Sequence, residues 1–175
     1  MAASTARSGR SETEDAAMDE IDFTCAKILI VDDIAPNREL LEAYLDALPC
    51  EVRMASDGVE AIEEVEREEP DLILLDIMMP KMSGFEVCEK LKADPRKRNI
   101  PIIMVTALNE VGDVERGVEA GTDDFISKPF NKLELITRVK SLLRLRLMKQ
   151  QLDQAHLYIE PERKPNLDEQ TSPGD

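Results

Sequence analysis

Short apolar runs alternate with longer amphipathic segments along most of the chain. Lys27 to Asp33, KILIVDD, is a β-branched run that ends in two acids, and Leu72 to Leu75, LILL, runs directly into Asp76. Runs of this length bounded by turn residues predict strands, and the most apolar of them predict strands buried on both faces. The five strands predicted in this way lie at 27–33, 51–55, 72–75, 100–107 and 124–127.

Each predicted strand is followed by apolar residues at spacings of three and four, which predicts a helix. Pro36 lies near the start of the first helix, Asp57 and Ser83 precede the second and third, and Asn131 precedes the fifth. These are residue types that favour helix starts. The residues expected to face the core are Leu40, Leu41, Tyr44, Leu45 and Leu48, then Ala61, Ile62 and Val65, then Phe85, Val87, Cys88 and Leu91, then Val111, Val114 and Val118, and finally Leu133, Ile136, Val139, Leu142 and Leu143.

Strict alternation of strands and helices indicates the fold class. Helices of ten or more residues between strands imply parallel pairing, and right-handed crossovers then produce an open, doubly wound α/β sheet with helices on both faces. In such sheets the functional site lies beyond the carboxyl ends of the strands.

The chain is expected to contain one domain with tails. The domain is predicted at 27–147, and the last helical pattern continues past it as an extension over 148–159. Residues 1–26 are rich in Ala, Ser, Thr and acids, and 160–175 contain three prolines, so both ends are predicted to be disordered.

Composition limits the possible partners and compartments. The formal charge is −15, with 37 acids against 22 bases, which argues against direct nucleic-acid binding. Cys25, Cys50 and Cys88 share no close spacing, so neither a disulfide framework nor a zinc site is indicated. No apolar run is long enough to span a membrane, and the start lacks the apolar centre of a signal peptide. A soluble, cytoplasmic protein is therefore expected.

Polar side chains stand at the ends of four predicted strands. They are Asp32 and Asp33, Asp76, Thr106 and Lys128. The carboxyl ends of parallel strands meet at one edge, where three carboxylates in a poorly solvated cleft cannot all stay ionised. The cluster therefore requires either a cation or raised pKa values. A hard divalent ion such as Mg²⁺ is the natural partner for such a cluster.

Each of these residues also has an ordinary interpretation. Asp76 could cap a helix, the two acids Asp32 and Asp33 are a common turn signal, and Lys128–Pro129 is a common exit from a strand. Only their occurrence together favours a functional site. His156 has no ligand partner nearby, which favours a solvent-exposed residue over a phosphorelay histidine.

The set resembles the receiver domains of two-component response regulators. The family pattern is an acid pair, a phospho-accepting Asp, a Thr or Ser, and a Lys followed by Pro, and every part of it occurs between residues 27 and 147. The resemblance implies a flavodoxin-like sheet of order 2-1-3-4-5. The runs DIMMPKMSGFEVC and RVKSLLRLRL look most like the receivers attached to diguanylate cyclases of the PleD type, although no GG[DE]EF signature is present.

The resemblance also implies a role for each site residue. Asp76 would accept the phosphoryl group. Mg²⁺ would be held by Asp33, Asp76 and the main-chain carbonyl of Met78, with Asp32 acting mainly through a bound water. Lys128 would pair with a phosphoryl oxygen.

Two further residues would form the family's conformational switch. Thr106 would turn its hydroxyl toward the phosphoryl group, and that movement would free Phe125 to turn inward. The family more often has Tyr at the position of Phe125, so the hydroxyl that Tyr could hydrogen-bond is missing here.

The leading functional hypothesis is a receiver phosphorylated by a sensor histidine kinase or phosphotransfer protein, with no enzymatic activity beyond slow autodephosphorylation. The alternative is an aspartyl-phosphate hydrolase of the haloacid dehalogenase type. That family typically has a second Asp two residues after the nucleophile, where this chain has Met78. Nucleotide binding is disfavoured because neither GxxxxGK[ST] nor GxGxxG occurs.

The sequence also predicts the geometry of the Lys128–Pro129 bond and the role of the last helix. The Lys128–Pro129 bond is predicted to be cis, because the short fifth strand must turn sharply and X-Pro is the bond at which cis is least unfavourable. The last helix is predicted to run from Asn131 to about Tyr158 and to form a parallel homodimer that tightens on phosphorylation. The predicted seam is Leu142, Leu145, Leu152 and Ile159, although Arg144, Arg146 and Lys149 interrupt it and would suit a solvated face equally well.

Overall fold

Five parallel strands form one sheet in the computed structural model, which describes residues 22–107 and 111–159. The strand order is β2-β1-β3-β4-β5, and all four neighbouring pairs are parallel. This confirms the predicted doubly wound α/β fold of order 2-1-3-4-5. The strands are β1 Lys27–Val31, β2 Glu51–Ala55, β3 Leu72–Leu75, β4 Ile102–Thr106 and β5 Asp124–Ser127.

Within the described part of the chain, five helices connect and follow the strands, and three of them begin at predicted capping residues. The Asp57 carboxylate accepts hydrogen bonds from the backbone at the start of α2, Ser83 forms a capping box with Glu86 at α3, and Asn131 accepts from Glu134 N at 2.9 Å at α5. These bonds satisfy N–H groups that a helix end leaves unpaired. The helices are α1 Ala35–Leu45, α2 Gly58–Arg67, α3 Gly84–Ala93, α4 Val111–Ala120 and α5 Lys132–Ile159.

The sheet separates two apolar clusters. In β1, Leu29 and Val31 point to one face, which α2, α3 and α4 cover, whereas Ile28 and Ile30 point to the other, which α1 and α5 cover. This follows from the two-residue period of a strand. All four residues of β3 and all five of β4 are buried, as expected for strands covered on both faces.

The predicted inner face is wrong in α4. Val114 and Val118 are 39% and 64% exposed, and the side chain of Val111 lies outside the described residues. The buried positions are instead Gly117 and Ala120. Small residues let α4 lie close to the sheet, so the helix turns its valines outward.

The inner faces of α1 and α5 differ from the prediction at one residue each. Leu40 is 45% exposed, although Leu41, Leu45 and Leu48 are buried as expected. In α5, Leu133 is 77% exposed and Leu135 is fully buried in its place. Leu40 and Leu41 are neighbours about 100° apart on α1, and the packing decides which of them faces the core. Leu133 and Leu135 lie about 200° apart, and Leu135 shares the side of α5 on which Val139 and Leu143 are buried.

α5 continues past the other helices as predicted, and polar contacts hold it near the edge opposite the strand ends. Arg146 pairs with Glu69, Lys149 Nζ donates to Asn99 Oδ1 at 2.8 Å, and Gln150 Nε2 donates to Asp71 Oδ1 at 3.0 Å. Beyond these contacts the described side chains of residues 151–157 are exposed.

The described part of the tails is small. Residues 1–21 and 160–175, predicted to be disordered, lie outside the described residues. Phe23 and Ala26 belong to the segment predicted as a tail, yet Phe23 packs against the cluster under α1 and α5, and Ala26 is buried. Within residues 22–107 and 111–159, no helix is long and apolar enough to cross a membrane.

Replacing Leu135 and Leu133 separately by Ala should distinguish the two candidate core positions of α5. Leu135→Ala leaves a cavity and should lower the free energy of unfolding by about 2 to 5 kcal/mol. Leu133→Ala removes an exposed side chain and should change it by no more than about 0.5 kcal/mol. Urea unfolding measures both values, and equal losses would contradict the packing of α5.

Candidate functional site

Asp32 follows β1 and is the most deeply buried acid of the site, at 1% exposure. Its Oδ1 accepts from Ile34 N at 2.8 Å, and the Asn37 amide lies 3.3 and 3.1 Å from Oδ1 and Oδ2. Lys128 Nζ donates to Oδ2 at 2.9 Å. A buried carboxylate needs such partners because it has lost its water, and here both oxygens have them.

Asp76 follows β3 and is 6% exposed. Its Oδ1 accepts from Ile77 N at 2.9 Å and lies 3.7 Å from Lys128 Nζ. Burial is the main cause that raises the pKa of Asp76 above its ordinary value, and the nearby Asp32 and Asp33 add to the rise. Lys128 opposes the shift in pKa, since its ammonium favours the ionised form.

Asp32, Asp33 and Asp76 can each offer a carboxylate oxygen within 4.8 Å of the other two. Asp33 is exposed, so the group is open to solvent on one side. Hard divalent ions prefer carboxylate oxygens, and Mg²⁺ characteristically keeps several waters. The donor set and the open side therefore fit Mg²⁺.

Lys128 reaches this group from the end of β5. Its main-chain N–H donates to Thr106 O at 2.9 Å, which keeps β5 paired with β4 up to the site. The Lys128–Pro129 peptide bond is cis. The ammonium thus stands between two buried carboxylates, closer to Asp32 than to Asp76.

The remaining predicted residues occupy three different environments. Thr106 ends β4 and is 2% exposed. Phe125 is half-buried and packs against the cluster under α2, α3 and α4. The Met78 side chain is 75% exposed, so only the main chain of this residue is suited to the role predicted for it.

Sequence reasoning missed two residues near the site. Asn37 bonds the Asp32 carboxylate, and its position five residues after that acid on α1 was the available signal. Lys81, at φ 67°, lies in the loop after β3 and pairs with Asp57 at 2.8 Å. That pair fastens the loop carrying Met78 to the start of α2, which no local pattern indicates.

Comparison with known proteins gives one family. Residues 28–140 match the response regulator receiver domain. The response regulator PleD of Caulobacter vibrioides is 50% identical over 129 residues, which cover 74% of this chain and 28% of PleD. The DNA-binding dual master transcriptional regulator RpaA of Synechocystis is 40% identical over 118 residues, or 67% of this chain and 49% of RpaA.

A solved structure gives the same result. The receiver domain of the sensor histidine kinase PA1611 of Pseudomonas aeruginosa, with a magnesium ion coordinated in its active-site cleft, is 33% identical with a TM-score of 0.63. The match covers 68% of this chain and 98% of that one. By contrast, this chain spans only 28% of PleD and about half of RpaA.

Asp76→Asn should stabilise the metal-free protein at neutral pH, because the amide removes a buried charge and its repulsion from two acids. A carboxyl whose pKa is raised on folding supports stability when protonated and loses that support as the pH rises. The advantage of Asp76→Asn should therefore shrink as the pH falls toward 3.8, the ordinary value for Asp.

Thermal unfolding in EDTA across this pH range measures the effect. Asp153→Asn, on the exposed part of α5, is the matched control and should change stability little at any pH. An advantage for Asp76→Asn that is independent of pH would show that burial of its charge is not the cause.

Proposed function

The chain belongs to the response regulator receiver domain family, and we propose on this basis that it accepts a phosphoryl group on Asp76 and signals through a change of conformation. The observation that carries the proposal is the position of Asp76, buried at a strand end beside Lys128 and two further acids. The comparisons support a two-component response regulator and not the hydrolase of the haloacid dehalogenase type.

In the proposed reaction, an Asp76 carboxylate oxygen attacks the phosphorus of a phosphohistidine. The P–O bond forms as the P–N bond breaks, which leaves an acyl phosphate on Asp76 and returns the electron pair to the imidazole. Lys128 is placed to neutralise charge on the phosphoryl oxygens, because its ammonium already lies 3.7 Å from Asp76 Oδ1.

The residues proposed to hold Mg²⁺ are Asp33, Asp76 and the main-chain carbonyl of Met78. When bound, the ion would neutralise charge on the transferred group. For Asp32 we propose contact through a water, since Ile34, Asn37 and Lys128 already use its oxygens.

Thr106 and Phe125 are proposed as the switch. Thr106 lies at the end of β4 that faces the site. Phe125 lies on the adjacent β5 and pairs with Met104, two residues before Thr106, so a shift of Thr106 can be passed to Phe125 through paired strands. Such a switch needs only a small free-energy difference between two alternative packings of these side chains.

The proposed partner is a sensor histidine kinase or phosphotransfer protein. Exposed apolar side chains flank the site, namely Ile34 at 51%, Leu40 at 45% and Met78 at 75%. Because RpaA is named as DNA-binding, family membership alone does not exclude nucleic acid. The formal charge of −15 is the ground on which we propose no direct contact with it.

The proposal also covers the cellular compartment of the protein, its enzymatic activity and the bounds of its domain. We place the protein in the cytoplasm, which suits its three free cysteines. We propose no enzymatic turnover beyond slow autodephosphorylation. The proposed organisation is a receiver domain over 27–147 with a helical extension over 148–159.

Incubation with acetyl phosphate and Mg²⁺ tests the phospho-acceptor. Intact-mass spectrometry should show one labile phosphoryl adduct on the wild type and none on Asp76→Asn, because the amide is not a nucleophile. EDTA should suppress the adduct. An undiminished adduct on Asp76→Asn would refute the assignment, and sustained release of phosphate from monoesters would favour a hydrolase.

We also propose a parallel homodimer through α5. The exposed apolar stripe consists of Leu145, Met148 and Leu152, at 64%, 48% and 61% exposure. Leu142, predicted to belong to it, packs partly into the core instead. The stripe has the three-and-four spacing of a coiled-coil seam, and a partner helix would cover it.

Sedimentation with and without beryllofluoride tests the dimer. Leu152→Glu should weaken association because it places a charge in the seam. Leu157→Glu is the matched control, since Leu157 is 80% exposed and lies five residues along the helix, away from the seam. A wild type that stays monomeric with beryllofluoride, or equal effects of the two substitutions, would remove the proposal.

A further inference from the structure

The ring of Phe125 lies directly against the backbone of α4. A β-carbon added at Gly117 would lie 2.5 Å from Phe125 Cε1, closer still to Cζ, and 3.3 Å from Met104 Sδ. Real side chains do not approach so closely, so Phe125 occupies space that any residue larger than glycine would need. Gly117 is buried in the middle of the helix.

A glycine in a helix interior is unfavourable compared with alanine, because it loses more backbone freedom on folding. At position 117, the close approach of the Phe125 ring explains why glycine is present despite this cost. Around Gly112, on the same helix, no described atom lies within 4 Å of the added carbon apart from its chain neighbours and the helix's own backbone, so no such reason is seen there.

The contact connects α4 to the strand that carries Thr106. Met104 pairs with Phe125 across β4 and β5, and Met104 and Thr106 lie two residues apart, which places them on the same face of β4. Thr106, Met104, Phe125 and Gly117 therefore form a continuous line from the site to α4.

α4 has other attachments, but they lie beside this line. Arg116 stacks over Phe85 at 4.4 Å from its centroid, and Cys88 Sγ donates to Ala120 O at 3.3 Å. Both join α4 to α3, and neither reaches β5.

α4 is also joined to β5 by its own short connection, in which Thr122 N donates to Gly117 O at 3.0 Å and Thr122 Oγ1 donates to Asp124 O at 3.1 Å. The ring on Gly117 is the side-chain contact between β5 and α4 that lies on the line from Thr106.

We propose that Gly117 is a positioning residue, whose missing side chain forms a slot for Phe125 and couples the ring to α4. The ring position then determines where α4 lies, and with it the exposed pair Val114 and Val118 that the helix presents to a partner. The slot stands on geometry alone, whereas its role in switching rests on the proposed phosphorylation of Asp76.

A double-mutant cycle on the metal-free protein tests the slot. Gly117→Ala should lower the melting temperature, although alanine favours a helix, because its methyl group collides with the ring. Phe125→Leu removes the ring atoms at the slot, so Gly117→Ala should not lower the melting temperature of the Phe125→Leu protein. Gly112→Ala is the matched control and should leave stability equal or higher.

The slot would be refuted by a Gly117→Ala protein as stable as Gly112→Ala. It would also be refuted if the cost of Gly117→Ala were unchanged in the Phe125→Leu background. Neither result depends on whether Asp76 is phosphorylated.

The methyl carbon signal of ¹³C-labelled Met104, assigned with Met104→Leu, tests the coupling because the ring current of Phe125 acts on it. Beryllofluoride with Mg²⁺ should shift this signal in the wild type and in Gly112→Ala, but not in Asp76→Asn. In Gly117→Ala without beryllofluoride, the Met104 signal should already differ in position from that of the wild type. The further shift that beryllofluoride causes should be less than half the wild-type shift.

A full wild-type shift in Gly117→Ala would overturn the coupling. A wild type that binds beryllofluoride at Asp76 without any shift would also overturn it. A wild type that binds no beryllofluoride would instead refute the proposed function, and the stability cycle would still decide on the slot.

Discussion

The ammonium of Lys128 is the group on which this site most depends. Two carboxylates, Asp32 and Asp76, are nearly excluded from water at one edge of the sheet, with Asp33 beside them. Isolated buried charges are strongly unfavourable, and a cation shared between them lowers that cost. Lys128 lies 2.9 Å from Asp32 and 3.7 Å from Asp76, so the metal-free site keeps its acids close together while Asp76 remains hard to ionise.

That arrangement requires a rigid backbone, which the parallel sheet provides. β1, β3 and β5 end at the same edge and deliver Asp32, Asp76 and Lys128 respectively. The loop after β3 is held by the ion pair between Lys81 and Asp57 as well as by the start of α3. On the other side of the site, α4 meets the sheet through glycine and alanine.

The two helices that could carry a signal are attached in different ways. α5 is fastened by polar pairs from Arg146, Lys149 and Gln150 to loops at the opposite edge, and its exposed stripe continues beyond them. α4 turns its small residues inward and contacts β5 through Phe125. In the proposed function, a change at Asp76 would reach α4 through Phe125, whereas α5 would present its exposed stripe to a partner.

Much of this protein was determined by local sequence. Apolar periodicity located the five strands and five helices of the described residues. Parallel pairing then places Asp32, Asp76 and Lys128 at one edge, because all strands of a parallel sheet have their carboxyl ends at the same edge. Periodicity did not show that α4 turns its valines outward, because it marks the apolar side of a helix but not how closely that helix lies on the sheet. Only the tertiary structure decided that Lys128 lies closer to Asp32 than to Asp76, because a contact between distant segments leaves no local pattern. It also decided that Phe125 fills the space at Gly117, because a glycine has no side chain to mark its inner face.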